Sequence, residues 1–141
     1  MKIATVPQMR EMDSRAIEKY NIPDQILMEN AGLAVYALIK RRFSIEESRF
    51  TVFSGRGNNG GDGLVVARKL HSMGGAVAVV LTCQGEQFQG AAAANYQAVR
   101  SIGLDIYEKP GLEEVEQLLG GSDCVIDALL GTGIVRDVTG Y

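Results

Sequence analysis

Phe50-Thr51-Val52-Phe53-Ser54-Gly55-Arg56-Gly57-Asn58-Asn59-Gly60-Gly61-Asp62-Gly63-Leu64-Val65-Val66-Ala67 is the stretch that decides how the chain is read. An apolar run enters five glycines and leaves into a helical pattern, which is how a chain brings bare backbone N–H groups up to an anionic ligand. Each glycine inside a regular element costs roughly 0.5–1 kcal/mol relative to alanine, so a cluster marks an unusual geometry. The competing reading is a tight strand-to-helix turn with no ligand. It needs one or two glycines and leaves Asn58 and Asn59 without a reason.

Downstream the rhythm is strand and helix in alternation. A strand is expected over 50–54, a helix over 61–73, a strand over 76–82 and an alanine-rich helix over 88–102. A short strand at 104–107, an acidic helix at 111–119 and a strand over 124–130 follow, and then a second glycine loop, Gly131-Thr132-Gly133. The continuously apolar runs suit parallel strands covered on both faces. Upstream lie two helices. Thr5 and Gln8 have capping-box spacing around Pro7, and Met9, Met12, Ala16 and Ile17 give residues 7–20 one apolar face. Pro23 and Asp24 suit the start of a second helix with a stripe from Ile26 to Ile39. Gly32 in that helix implies a close approach, beside which Glu29 and Asn30 are either site residues or a solvated face. The expected fold is α/β, a Rossmann-like doubly wound, mostly parallel sheet. Residues 1–49 form a helical extension and 50–141 the core of one domain.

At 141 residues, with 46% hydrophobic and 22% charged, the chain has the size of one domain. A formal charge of −3 excludes a general nucleic-acid binder. Lys40-Arg41-Arg42 reads as the cationic end of a helix. No apolar run is long enough for a signal peptide or a membrane span, and Cys83 and Cys124 read as buried thiols, so a cytoplasmic protein is expected.

Asp127 stands within an apolar run, where an unpaired buried carboxylate would cost several kcal/mol. It needs a partner, a cation or exposure at a sheet edge. Ligands of doubly wound sheets bind outside the carboxyl ends of the strands near the switch point, and the strands at 50–54 and 124–130 are candidates to flank it. Asp127 would then face Gly57 to Gly61, unless it only shapes its own turn. Asp62 has an alternative role as the cap of a helix starting at Gly63. Gly55-x-Gly57-x-x-Gly60 matches a dinucleotide-binding pattern that also predicts an acid at the end of the next strand. That strand ends Leu81-Thr82-Cys83-Gln84, with neither acid nor arginine, which argues against the usual dehydrogenase mode. His71, the single histidine, has no nucleophile motif nearby, and no zinc-ligand spacing is present.

Met28-Glu29-Asn30-Ala31-Gly32, Gly57 to Gly63 and Asp127-Ala128-Leu129-Leu130-Gly131-Thr132-Gly133 together resemble the three successive signatures of the YjeF N-terminal domain family, the NAD(P)HX epimerases. The resemblance spans the chain from the Arg10 to Ile17 helix onward. It implies an isomerase that interconverts the R and S forms of hydrated NADH or NADPH, working alongside an ATP- or ADP-dependent dehydratase. Carried onto matching positions, it implies substrate contacts from Asn58, Asn59, Gly60, Gly61 and Asp62, and from Gly131, Thr132, Gly133, Ile134, Val135, Arg136 and Asp137. It implies a potassium ion held in part by Asn59 and Asp127. Asp127 is the candidate acid and base. In the family the fold continues past this loop through an Asp-x-Pro-Ser-Gly segment, so the C-terminal part of the domain is expected to be missing here. A homodimer through the N-terminal helices is expected, and no nucleic-acid or membrane partner. The alternative is a non-catalytic scaffold or a plain nucleotide-binding module of the same fold.

Overall fold

The computed structural model describes residues 3–134, 137 and 138. Two helices open the chain, α1 (Val6–Tyr20) and α2 (Asp24–Lys40). The α/β part follows as β1 (Arg49–Ser54), α3 (Asn58–Ser72), β2 (Ala76–Leu81), α4 (Gly90–Ser101), β3 (Asp105–Glu108), α5 (Leu112–Gly120) and β4 (Cys124–Ala128). The four strands form one sheet in the order β3-β2-β1-β4, and every pair is parallel. The expected α/β architecture is therefore observed. The chain runs β1, β2, β3 in one direction and then returns past two strands, so the switch point lies between β1 and β4.

Local chemistry explains the element ends. At the start of α1 the Thr5 N–H donates to Gln8 Oε1 at 2.8 Å, and Pro7 stands where an N–H would have no intrahelical acceptor. Asn21 ends that helix in the left-handed region at φ 52°. Pro23 is the N-cap of α2, with Asp24 in its first turn.

The core lies between the sheet and α2, α3 and α4. Val52, Leu64, Val65, Ala67, Leu70, Val79, Leu81 and Val99 are wholly buried. Gly32 permits the crossing of α2 on α3, since a Cβ there would stand 2.6 Å from Val65 Cβ. Glu29 of α2 completes that contact by pairing with Arg68 and, at 2.7 Å, with Lys69 of α3. Burial alone would raise the Glu29 carboxyl, but the two cations outweigh it and hold it below the ordinary value. Asn30 is exposed.

The opposite face is thinly covered. α5 buries no residue, and a cavity of about 410 Å³ opens beside it at the amino-terminal ends of the strands. There the Thr51 and Ser122 hydroxyls share a 2.6 Å hydrogen bond, and His71 lines the rim. Cys83 is buried as expected, whereas Cys124 is only half-buried because β4 is an edge strand. Both thiols are free.

Candidate functional site

The glycine stretch differs from its sequence reading in where the helix begins. Gly57 is the N-cap and α3 already starts at Asn58, three residues before the expected boundary, with the Gly61 N–H donating to Gly57 O at 3.1 Å. Asn58, Asn59 and Gly60 are therefore the first helical turn, and their N–H groups have no intrahelical acceptor. No side chain caps them. Asp62 lies inside the helix, so its expected role as a cap is corrected.

Most of the glycines here are explained by packing. A Cβ on Gly60 would stand 1.7 Å from Gly55 O, one on Gly55 2.0 Å from Leu129 O, and one on Gly63 2.5 Å from Ala128 Cβ. Gly61 is pressed against Met28 and Ala92. Gly57 alone has open space around its Cα. The buried Ser54 hydroxyl donates to Gly60 O at 2.9 Å and locks the turn.

The second segment is tied to the first where β1 and β4 end. The Gly55 N–H donates to Ala128 O at 3.1 Å, and Asn59 Nδ2 donates to Leu130 O at 3.3 Å. Gly131 lies against Asn59, where a Cβ would reach Asn59 Cβ at 3.0 Å. Gly131, Thr132, Gly133, Ile134 and Asp137 are exposed, as is Asn58, while Asn59 and Asp62 are half-buried. Val135 and Arg136 lie outside the described residues.

Asp127 solves its burial problem by exposure. Along β4, Ile126 and Ala128 are buried while Val125 and Asp127 are exposed, and Ala128 meets α3 at Gly63. Alternation thus turns Asp127 to the face away from α3. Its Oδ1 accepts the Leu129 N–H at 3.0 Å, the turn-forming bond that the sequence left open. Among the described residues no hydrogen bond joins Asp127 to residues 57–62, so contact with the first segment runs through Asn59 and the loop after β4.

A metal or cofactor here has oxygen to meet. With Asn59 Nδ2 engaged at Leu130 O, Asn59 Oδ1 and Asp127 Oδ2 have no hydrogen-bond partner among the described residues. Such donors suit a hard cation such as potassium. No group of three His, Cys, Asp or Glu side chains able to hold a metal ion occurs among the described residues.

Helix α1 adds two residues that the sequence did not single out. Arg10 Nη2 donates to Thr132 O, fastening the helix over the second segment. One turn on, Asp13 acts on Asp62. Burial first, and the Asp13 charge second, push the Asp62 carboxyl up to about 6. Charged positions on an exposed helix carry no periodic signal, so neither residue was legible.

The family described as YjeF-related protein N-terminus matches residues 24–141. The chain is 39% identical over 142 residues to the bifunctional NAD(P)H-hydrate repair enzyme Nnr of Thermofilum pendens, covering 99% of this chain and 27% of that protein. It is 38% identical over 136 residues to the NAD(P)H-hydrate epimerase of Pirellula staleyi (93% of this chain, 58% of that one). With the NAD(P)H-hydrate epimerase of Limosilactobacillus fermentum the identity is also 38% over 136 residues (96% and 62%). The chain thus spans about a quarter of the bifunctional relative and about three fifths of the two epimerases. The crystal structure of yeast ynu0 has the same fold, with a TM-score of 0.85 at 24% identity over 99% of this chain and 60% of that one.

Proposed function

The chain belongs to the YjeF-related protein N-terminus family, and from that premise we propose that it supplies the active site of an NAD(P)H-hydrate epimerase, an isomerase of nicotinamide nucleotide repair. The observation that carries this reading is the joining of two glycine segments at the switch point, through Gly55 to Ala128 and Asn59 to Leu130. The free N–H groups of Asn58, Asn59 and Gly60 receive the diphosphate, and Gly131 to Ile134 with Asp137 flank the hydrated ring.

Epimerisation at the hydrated carbon proceeds by loss and return of one hydroxyl. The ring nitrogen lone pair forms an iminium as the protonated hydroxyl leaves as water, and water then adds to the other face and gives up a proton. We assign Asp127 to these proton transfers, because the residue is exposed near the end of β4 and its second oxygen has no hydrogen-bond partner among the described residues. Asp62, whose carboxyl is pushed up to about 6 by burial and by the Asp13 charge, is a second carboxyl within the first segment. Potassium, held in part by Asn59 Oδ1 and Asp127, would supply positive charge beside the diphosphate.

The exposed Met9, Met12 and Ile17 of α1 and Leu33 and Leu38 of α2 support a homodimer. Two free thiols and a nucleotide substrate support a cytoplasmic location, and among the described residues no helix is long and apolar enough to cross a membrane. The S form would pass to an ADP- or ATP-dependent dehydratase, and one of the relatives is itself named bifunctional. Proton NMR of pure R-NADHX with the protein tests the reading: appearance of the S form well above the buffer rate is expected. An unchanged rate with potassium present would reduce the proposal to binding alone.

A further inference from the structure

The half of the sheet's carboxyl edge away from β4 carries charge that the proposed reaction does not use. Ser54, Leu81 and Glu108 are in register, so β1, β2 and β3 end level. The Thr82 N–H donates to Ser54 O at 3.2 Å and the Lys109 N–H to Leu81 O at 2.8 Å, which carries the ladder one step further. Arg56 and Lys109 therefore leave the sheet on either side of the end of β2, from strands roughly 10 Å apart. Both are exposed, and neither side chain has an ion pair or hydrogen bond among the described residues.

Their charges meet at Cys83, the buried residue between them. Burial and the Glu108 carboxylate raise the Cys83 thiol, and Lys109 and Arg56 act against them. Glu108 itself is turned toward α4, where its Oε1 accepts from Tyr96 Oη at 2.8 Å and from the Gly85 N–H at 3.3 Å. Arg56 and Lys109 thus flank the end of β2, with the exposed Glu86 to one side, where its charge acts on Tyr96.

In a doubly wound sheet, an acid at the end of the second strand holds the 2′-hydroxyl of the adenosine ribose, and a nearby arginine accommodates a 2′-phosphate instead. β2 runs out through Thr82, Cys83 and Gln84, with no acid. Arg56 and Lys109 follow the ends of the two neighbouring strands, and both charges act on Cys83 at that place. A dinucleotide whose hydrated ring lies by β4 and whose diphosphate lies over the first turn of α3 directs its adenosine half there.

We propose that Arg56 and Lys109 seat the 2′-phosphate of a phosphorylated adenosine ribose over the end of β2, so that the chain favours hydrated NADPH over hydrated NADH. This seat presupposes the dinucleotide ligand proposed above. Planar, bidentate recognition of phosphate is what arginine provides, with lysine as a second point charge.

Two measurements test it, on the full chain and on Arg56→Ala and Lys109→Gln, whose native side chains make no ion pair or hydrogen bond among the described residues. In calorimetric titration, adenosine 2′,5′-bisphosphate should bind the wild type more tightly than adenosine 5′-phosphate, and Arg56→Ala should remove about 10- to 100-fold of that advantage. In the NMR assay the same variant should lower kcat/KM for R-NADPHX by a similar factor and leave R-NADHX within about twofold. Equal affinity for the two adenosine phosphates, or equal losses with both substrates, would overturn the seat while leaving the epimerase reading intact. Retained preference for the bisphosphate in a protein that epimerises neither substrate would support the seat and remove the epimerase reading.

Discussion

The first glycine segment is enclosed and the second is open. Around Gly55, Gly60, Gly61 and Gly63 any Cβ would meet a neighbour closer than 3.0 Å, whereas around Gly133 nothing lies within 4 Å. The first segment lets β1, α2, α3 and the end of β4 approach one another, and its ligand role is confined to the N–H groups it leaves free. The second is an exposed surface fixed at one end by Asn59 and overlaid by Arg10. Similar composition thus serves construction in one place and access in the other.

If that contrast is right, alanine at Gly60 should have the largest effect. Its Cβ would meet the Gly55 carbonyl at 1.7 Å, and Gly55 is itself held by its N–H bond to Ala128 O and packed against Leu129 O, so the obstacle is backbone rather than a flexible side chain. We expect a loss of about 3 kcal/mol or more, seen as a Tm lower by roughly 10 °C or as no folded protein. Wild-type melting would break the distinction. Asp127→Asn should leave Tm nearly unchanged, because the residue is exposed, while lowering epimerisation of R-NADHX about 10²- to 10⁴-fold. A loss restored by raised potassium would identify a cation ligand rather than a proton carrier.

Asn59→Ala tests the joint between the segments. Loss of its bond to Leu130 O should cost about 1 kcal/mol in urea unfolding and weaken nucleotide binding, since the second segment loses its anchor.

The pH dependence follows from Asp62. Its folded value near 6 exceeds the ordinary 3.8, so the native state binds more protons between those values and stability falls as pH rises through that window. Asp62→Asn should flatten the slope, and Asp13→Asn should reduce it less, because burial is the larger cause. The smallest effect belongs to Gly133→Ala, expected within about 0.5 kcal/mol of wild type. A large change there would mean that the second segment is also enclosed.

How much was legible in the sequence depended on whether a residue's role is local. The strands and their parallel pairing followed from apolar runs alternating with helical patterns, and Gly32 announced a close approach, whose partner Val65 only the structure identifies. The start of α3 was misplaced because Asn58-Asn59-Gly60-Gly61 has poor helix propensity. Contacts with Gly55, Met28 and Ala92, absent from any local pattern, override that propensity. Asp127 was placed at the correct strand end, but its outward direction depended on which face α3 occupies. Arg10, Asp13, Arg56 and Lys109 escaped notice because their roles rest on neighbours far away in the chain.

The return of β4 past two strands also governs the order of assembly. β1, β2 and β3 join through short βα units, whereas Asn59 and Leu130 are 71 positions apart, so their contact closes one of the longest loops in the molecule. The two halves of the crevice therefore meet only when that closure is made. A nucleotide bridging them draws on the global folding equilibrium, and saturation at 100 times Kd would slow amide exchange across β4 as strongly as in the core, with a gain of about 2.7 kcal/mol.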